Sequence, residues 1–290
     1  MLGDWLRLLR PRHWVKNGFV LAPLLFSGRA ADSVILLDAL LAFAAFCLAA
    51  SAVYAFNDVV DRAEDRVHPV KRFRPVAAGR IGPGTAYAAA AVLAVLALGV
   101  ASLAGPLSAL CIAAYLALNG AYSVWLKHLV LLDVFAIATF FLLRLLAGAA
   151  AVQVRPSVWL LLCGGLLALY LGFAKRRHEL LVLGDESSDH RSVLAQYSPP
   201  FLDQISSVLL AVTLVSYLMY SLTSETAAKV GSDALSYGVP FVLYGMFRYL
   251  YLVHKRGLGS PTEIVLTDRP LIISAGLWLV YNAWIIYRPH

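Results

Sequence analysis

Residues 34–65 read VILLDALLAFAAFCLAASAVYAF followed by NDVVDRAED, and the join between the two parts decides how the chain folds. The first part carries a single charge, Asp38. As a helix it would run about 34 Å, enough to cross a hydrocarbon core of about 30 Å. The second part is acidic from its first turn. If the helix continues, Asp58, Asp61 and Asp65 stand at i, i+3 and i+7 on one face. Like charges so placed repel unless a cation lies between them, and clustered carboxylate oxygens suit Mg²⁺, which a few carboxylates hold together with substrate phosphates. An ordinary solvated helix end is the plainer reading, but carboxylates at a helix C-terminus oppose the helix dipole.

Outward from this join the chain stays apolar. Of 290 residues, 60% are hydrophobic and 14% charged, with a mean hydropathy of +0.74. Soluble domains carry about 25% charged residues, so too few charges are present to cover a soluble core, and a lipid bilayer is the implied solvent. Nine apolar stretches, approximately 13–28, 34–56, 84–104, 107–124, 130–150, 157–174, 204–222, 237–253 and 270–287, predict an all-α polytopic membrane protein with nine transmembrane helices in a single domain over 1–290. Pro23 and the basic segment before it argue against a cleaved leader ending near Gly28-Arg29-Ala30.

Lysine and arginine sort by side. With the N-terminus inside, Arg29, Arg155, Lys229 and Arg288 fall outside, Arg144 and Arg248 fall within helices, and every other Lys and Arg falls inside. That asymmetry predicts a cytoplasmic N-terminus in a cell inner (plasma) membrane. It also accounts for the net charge of +7 without nucleic acid, since no basic stripe alternates with aromatics. The long connections 57–83 and 175–203 then share the cytoplasmic face and carry the expected active site. Asp185 and Asp189, at i and i+4 in the second, form another acidic pair.

Cations crowd both connections. His68, Lys71, Arg72, Arg74 and Arg80 follow the first cluster, and Lys175, Arg176 and Arg177 precede the second. Carboxylates mixed with Lys and Arg are what a phosphate–Mg²⁺ clamp requires, although sidedness alone explains some of these cations. Arg144 is different. It lies about 16 Å of helix rise beyond Asp133, on nearly the same face, and a mid-bilayer charge costs roughly 2.5–3.5 kcal/mol on insertion scales. It marks either a site or a hydrogen bond that shapes the bundle. Arg248, near its helix end, is expected to snorkel. Cys47, Cys111 and Cys163 sit in apolar runs without metal-type spacing. No GxSxG, HExxH, Walker A or dinucleotide fingerprint is present.

The pattern N-D-x-x-D-x-x-x-D at Asn57–Asp65, followed by RPVAAGRI at 74–81, resembles the UbiA superfamily of membrane prenyltransferases. The element YSVWLK at 122–127, Asp133 with Arg144, and the second Asp pair extend the likeness over the chain. Segments 10–17 (RPRHWVKN), 68–75 (HPVKRFRP), 175–179 (KRRHE) and 259–270 (GSPTEIVLTDRP) resemble its decaprenyl-phosphate phosphoribosyltransferase branch. The resemblance implies a UbiA-type bundle around a central cavity open to the cytoplasm. It implies Mg²⁺-dependent transfer of 5-phosphoribose from phosphoribosyl pyrophosphate to a polyprenyl (decaprenyl) phosphate, for cell-wall arabinan precursors. Asp58, Asp61, Asp65, Lys71 and Arg74 would act catalytically, with Asp58, Asp61, Asp65, Asp185 and Asp189 on the metal. Lys16, Asn57, Tyr122, Lys127, Arg144, Lys175, Arg176, Glu179, Asp185, Asp189 and Tyr197 would bind substrate. An aromatic prenyltransferase using a polyprenyl diphosphate is the alternative within the superfamily, and a transporter or lipid-binding protein a distant one. A homo-oligomer is compatible with the resemblance.

Overall fold

The structure is a computed structural model that describes residues 2–183, 193–223, 233–255, 264–265 and 267–288. Among them every regular element is helical. Two short helices, α1 (Leu2–Leu9) and α2 (Ala22–Ser27), flank a 3₁₀ helix over Pro11–Leu21. Then come α3 (Ser33–Val60), α4 (Arg62–Val67), α5 (Pro83–Leu103), α6 (Pro106–Val124) and α7 (Leu132–Ala151). The remainder are α8 (Val158–Leu183), α9 (Pro199–Leu222), α10 (Val239–Lys255) and α11 (Arg269–Tyr287). The chain gathers into two compact units: residues 1–136 with 140–156, and residues 137–139 with 157–290.

Among the described residues seven helices, α3, α5, α6, α7, α8, α9 and α11, are long and apolar enough to cross a membrane. Two of the nine expected stretches take other forms. Residues 13–28 are interrupted, with the tighter 3₁₀ winding from Pro11 to Leu21 and a six-residue helix that ends at Gly28 in a left-handed conformation (φ 70°). The stretch near 237–253 folds as the 17-residue α10.

The first unit is built on α3, along which α5, α6 and the 3₁₀ segment pack. Small residues make this possible. In α5, Ala86, Ala90, Ala97 and Ala101 are buried while Val92, Val95, Leu96 and Leu103 are exposed. The pattern inverts that of a soluble helix, because lipid solvates the large side chains and close backbone approach rewards the small ones. The closest approach is at Gly148 of α7, where an added Cβ would lie 1.9 Å from the Val20 carbonyl oxygen.

In the second unit α8 packs on α9 and α10 on α11, around Tyr170, Leu210, Met246, Tyr249, Leu252 and Leu271. Arg248, expected to snorkel, meets a carboxylate at the start of α11. Its Nη2 and Nε lie 2.9 and 3.2 Å from the two oxygens of Asp268, a forked pairing. Asp268 also accepts from the Leu271 N–H at 3.0 Å and so caps α11.

Candidate functional site

The acidic join sits at the end of α3. The helix pauses at Asp61 (φ −84°, ψ 5°) and resumes as α4. Its ladder continues through the pause: Asp61 N–H donates to Asn57 O and Asp65 N–H to Asp61 O, both at 2.8 Å. Asp58 and Asp65, about two turns apart, therefore point the same way. Arg74 Nη1 stands 2.7 Å from Asp65 and 3.4 Å from Asp58. Asp61 lies at the margin of the shared face. It is turned by roughly 60° from Asp58 and pairs with Lys127 Nζ at 2.8 Å.

Burial makes this arrangement unusual. Asp58 and Asp65 are each 1% exposed, and ionised carboxylates so placed need compensating charge. Arg74 supplies part of it and Arg10 the rest, hydrogen-bonded to Asp58 Oδ1. The Arg10 guanidinium also lies 4.8 Å from the Tyr54 ring centre. Asp58 Oδ2 is buried with no hydrogen-bond partner. Burial pushes the Asp65 carboxyl above the usual carboxylate range, against the pull of Arg74. Burial and the neighbouring Arg74 charge hold the Arg10 guanidinium below its ordinary value.

Among the described residues no three His, Cys, Asp or Glu side chains gather into a ready-made metal cage. Mg²⁺ requires less than that, because one or two carboxylates with substrate phosphates and water suffice. Asp58, with its unpartnered buried oxygen, and Asp65 beside it fit such a role.

The other expected residues separate into groups. Asn57 Oδ1 lies within hydrogen-bond distance of the Ser123 hydroxyl. Tyr122 sets its ring against the edge of Phe140 at 5.6 Å. Lys71 is exposed on a short 3₁₀ turn, which the His68 ring shapes by accepting from the Val70 and Lys71 N–H groups. Lys16 is half-buried on the 3₁₀ segment. Arg144 is buried in α7 with its donors turned to Asn17, Tyr115 and the Phe140 carbonyl. In the second unit, Lys175 and Arg176 both pair with Glu179. Tyr197 is buried between Phe173 and Phe201. Asp185 and Asp189 lie outside the described residues.

Beside Arg74 a cleft of about 480 Å³ is lined by Arg7, Val70, Phe73, Pro75 and Arg80. Arg80 is braced at 2.7 Å by both Asp4 and the Phe73 carbonyl, and its hydrogen bond holds the Asp4 carboxyl low. Arg10 and Arg74 thus contact the acidic pair while Arg7 and Arg80 line the cleft beside Arg74, an arrangement able to hold a phosphorylated anion with a divalent ion. Arg10 is the residue that pattern reading missed. Nothing in local spacing ties it to Asp58, 48 positions away.

Comparison with known proteins places these residues in context. The model of the UbiA prenyltransferase family matches residues 19–266. The chain is 33% identical over 289 residues to the decaprenyl-phosphate phosphoribosyltransferase of Corynebacterium glutamicum, covering 97% of this chain and 86% of that one. It is 35% identical over 283 residues to the Mycobacterium tuberculosis protein of the same name, covering 96% and 93%. Among solved structures, a UbiA homolog from Archaeoglobus fulgidus bound to GPP and Mg²⁺ superposes with a TM-score of 0.73 at 20% identity, over 98% of this chain and 100% of that one.

Proposed function

The chain belongs to the UbiA prenyltransferase family, and from this premise we propose that it is a membrane transferase moving 5-phosphoribose from phosphoribosyl pyrophosphate to a polyprenyl (decaprenyl) phosphate. The observation that carries the reading is the near full-length likeness to relatives named decaprenyl-phosphate phosphoribosyltransferase. The acidic pair held by Arg10 and Arg74, with Arg80 lining the cleft beside Arg74, supports it, because two anions must meet there.

The anomeric C–O bond of the donor breaks as an oxygen of the lipid phosphate bonds to the same carbon, and pyrophosphate leaves with the electron pair. The lipid phosphate is already an anion, so it needs positioning more than deprotonation. Arg74 neutralises charge as pyrophosphate departs, with Lys71 and Lys16 as further phosphate contacts. Asp58 and Asp65, with Asp61 joining when Lys127 yields it, would hold Mg²⁺. When bound, the ion supplies positive charge to the leaving oxygens. Asn57, Tyr122 and Lys127 line the substrate from the first unit. The family likeness gives Lys175, Arg176, Glu179 and Tyr197 a substrate-binding role as well, and gives Asp185 and Asp189 a role on substrate and metal. Product and pyrophosphate would form at the cytoplasmic face of the inner membrane, for arabinan precursors.

We also infer nine crossings with a cytoplasmic N-terminus. A 3₁₀ helix rises about 2 Å per residue, so residues 11–27 extend about 31 Å with the α2 rise included. The 17 residues of α10 lie at the lower end of the membrane-spanning range. In the first unit Arg10, Asp58 and Lys127 meet at one end, while Arg29 reaches the Val152 carbonyl at the other.

The test incubates purified protein with Mg²⁺, labelled phosphoribosyl pyrophosphate and polyprenyl phosphate. Labelled lipid is the expected product. No labelled lipid, alongside prenylation of a hydroxybenzoate or naphthoate from a polyprenyl diphosphate, overturns the proposal.

A further inference from the structure

Arg144 is a buried cation with a hydrogen bond from each of its three nitrogens. Its Nε donates to Asn17 Oδ1 at 2.8 Å, Nη1 to the Phe140 carbonyl at 2.7 Å, and Nη2 lies 3.3 Å from the Tyr115 hydroxyl. The rings of Phe46, Tyr115 and Phe141 surround its central carbon at 5.3, 4.9 and 5.5 Å. So enclosed, each guanidinium nitrogen is turned to a partner within the protein. It holds Asn17, which is fully buried in the 3₁₀ segment that begins just after Arg10.

That segment is stapled along its length. The Ser51 hydroxyl donates to the Leu9 carbonyl at 2.9 Å, and Trp14 Nε1 donates to Ser51 Oγ at 3.1 Å. Asn17 Nδ2 reaches Cys47 Sγ at 3.3 Å. Val20 presses its carbonyl against α7 where only glycine, Gly148, leaves room. At the head of the segment Arg10 adopts φ 52° and ψ 55°, a left-handed conformation that residues other than glycine rarely take. Such a conformation persists when its surroundings over-determine it. The outcome is a guanidinium delivered to Asp58 Oδ1.

We propose that Arg144 is a positioning residue: through Asn17 it sets the depth of residues 11–21 and so aims Arg10 at Asp58, where Arg10 serves as an exchangeable counter-ion that passes to the diphosphate when that ligand binds. The proposal rests on the diphosphate reading of the acidic site. A planar guanidinium fixes three directions at once, which a single-point donor does not. No water in the membrane interior replaces a lost partner of the Asn17 carbonyl. Losing Arg144 therefore shifts the segment rather than simply hydrating it, and the strained turn at Arg10 relaxes away from Asp58.

The experiment measures binding to the full-length protein in detergent, with Mn²⁺ alone and with inorganic pyrophosphate in the presence of Mn²⁺. Arg10 competes with a cation for Asp58 but assists a diphosphate, so the two affinities should move in opposite directions. Arg144→Met is expected to tighten Mn²⁺ at least threefold and weaken pyrophosphate at least threefold. Arg10→Ala should give the same opposed pair, and the double variant should match Arg10→Ala within twofold. Arg144→Lys should restore part of both shifts. Asn17→Leu carries the same expectation and decides the matter if Arg144→Met does not fold. A merely structural role weakens both ligands together. That result, unchanged affinities, or a double variant whose effects add in full overturns the proposal. If the unaltered protein binds no pyrophosphate, the diphosphate reading itself fails, and the Mn²⁺ arm still decides whether Arg144 positions Arg10.

Discussion

The two compact units both carry acids paired with arginine, yet they use the pairing differently. In the first, Asp58 and Asp65 are buried, share Arg74, and leave one Asp58 oxygen without a partner. In the second, Asp203 takes Arg177 through both oxygens and His254 Nε2 at 3.2 Å, with its side chain 39% exposed. Exposed pairs of that kind tie helix ends together and contribute little, about 0–1 kcal/mol. A buried pair with an unsatisfied oxygen is costly to keep. Such a cost is tolerated where a ligand repays it. On the function proposed here, the first cluster carries the chemistry and the second tethers helices.

The sharpest way to break this contrast is Asp58→Asn. Turnover should fall by about 10²–10³-fold or more, as when a transition-state charge partner is removed, measured as labelled lipid formed per folded protein. Retained activity would remove the role given to Asp58.

Stability separates the units next. Gly148→Ala would force a Cβ against the Val20 backbone at 1.9 Å and should cost about 1–3 kcal/mol. Gly276→Ala, on α11 with open space around it, should be neutral or stabilise by up to about 1 kcal/mol. Thermal unfolding of both variants in detergent checks the opposite signs.

A third test uses pH. Asp65 must be ionised to hold a cation, and its folded pKa is raised by burial. The acid limb of kcat/KM should therefore have its midpoint above the ordinary carboxylate value. The same shift favours folding in acid, and that contribution is lost as pH rises through the folded pKa. A limb at or below the ordinary value would separate Asp65 from the metal role. The smallest effect belongs to Asp203→Asn, expected to cost at most about 1 kcal/mol and to leave turnover within about twofold. A large loss of turnover there would bring the second cluster into the site.

Much of this was legible in the residues. The apolar runs and the close spacing of Asn57 to Asp65 are local or compositional, and the helical structure follows them closely. The expected nine helices differ from the structure at two stretches. Pro11, Pro23 and Gly28 interrupt the first run, and hydropathy alone registers its apolarity but not its winding. Spacing also put Asp61 with its neighbours, because periodicity carries no information about Lys127, which arrives from the end of α6.

The sequence by itself therefore determined the solvent, the helices and the acidic motif, since each depends on residues close together in the chain. Only the tertiary structure decided the partners: Arg10 on Asp58 across 48 positions and Arg144 on Asn17 across 127. Those contacts exist because α3 and α7 pack the 3₁₀ segment between small residues. Where a long side chain ends depends on backbone approach that no local pattern encodes. The join at residues 57–65 named the acids, and packing chose which cations answer them.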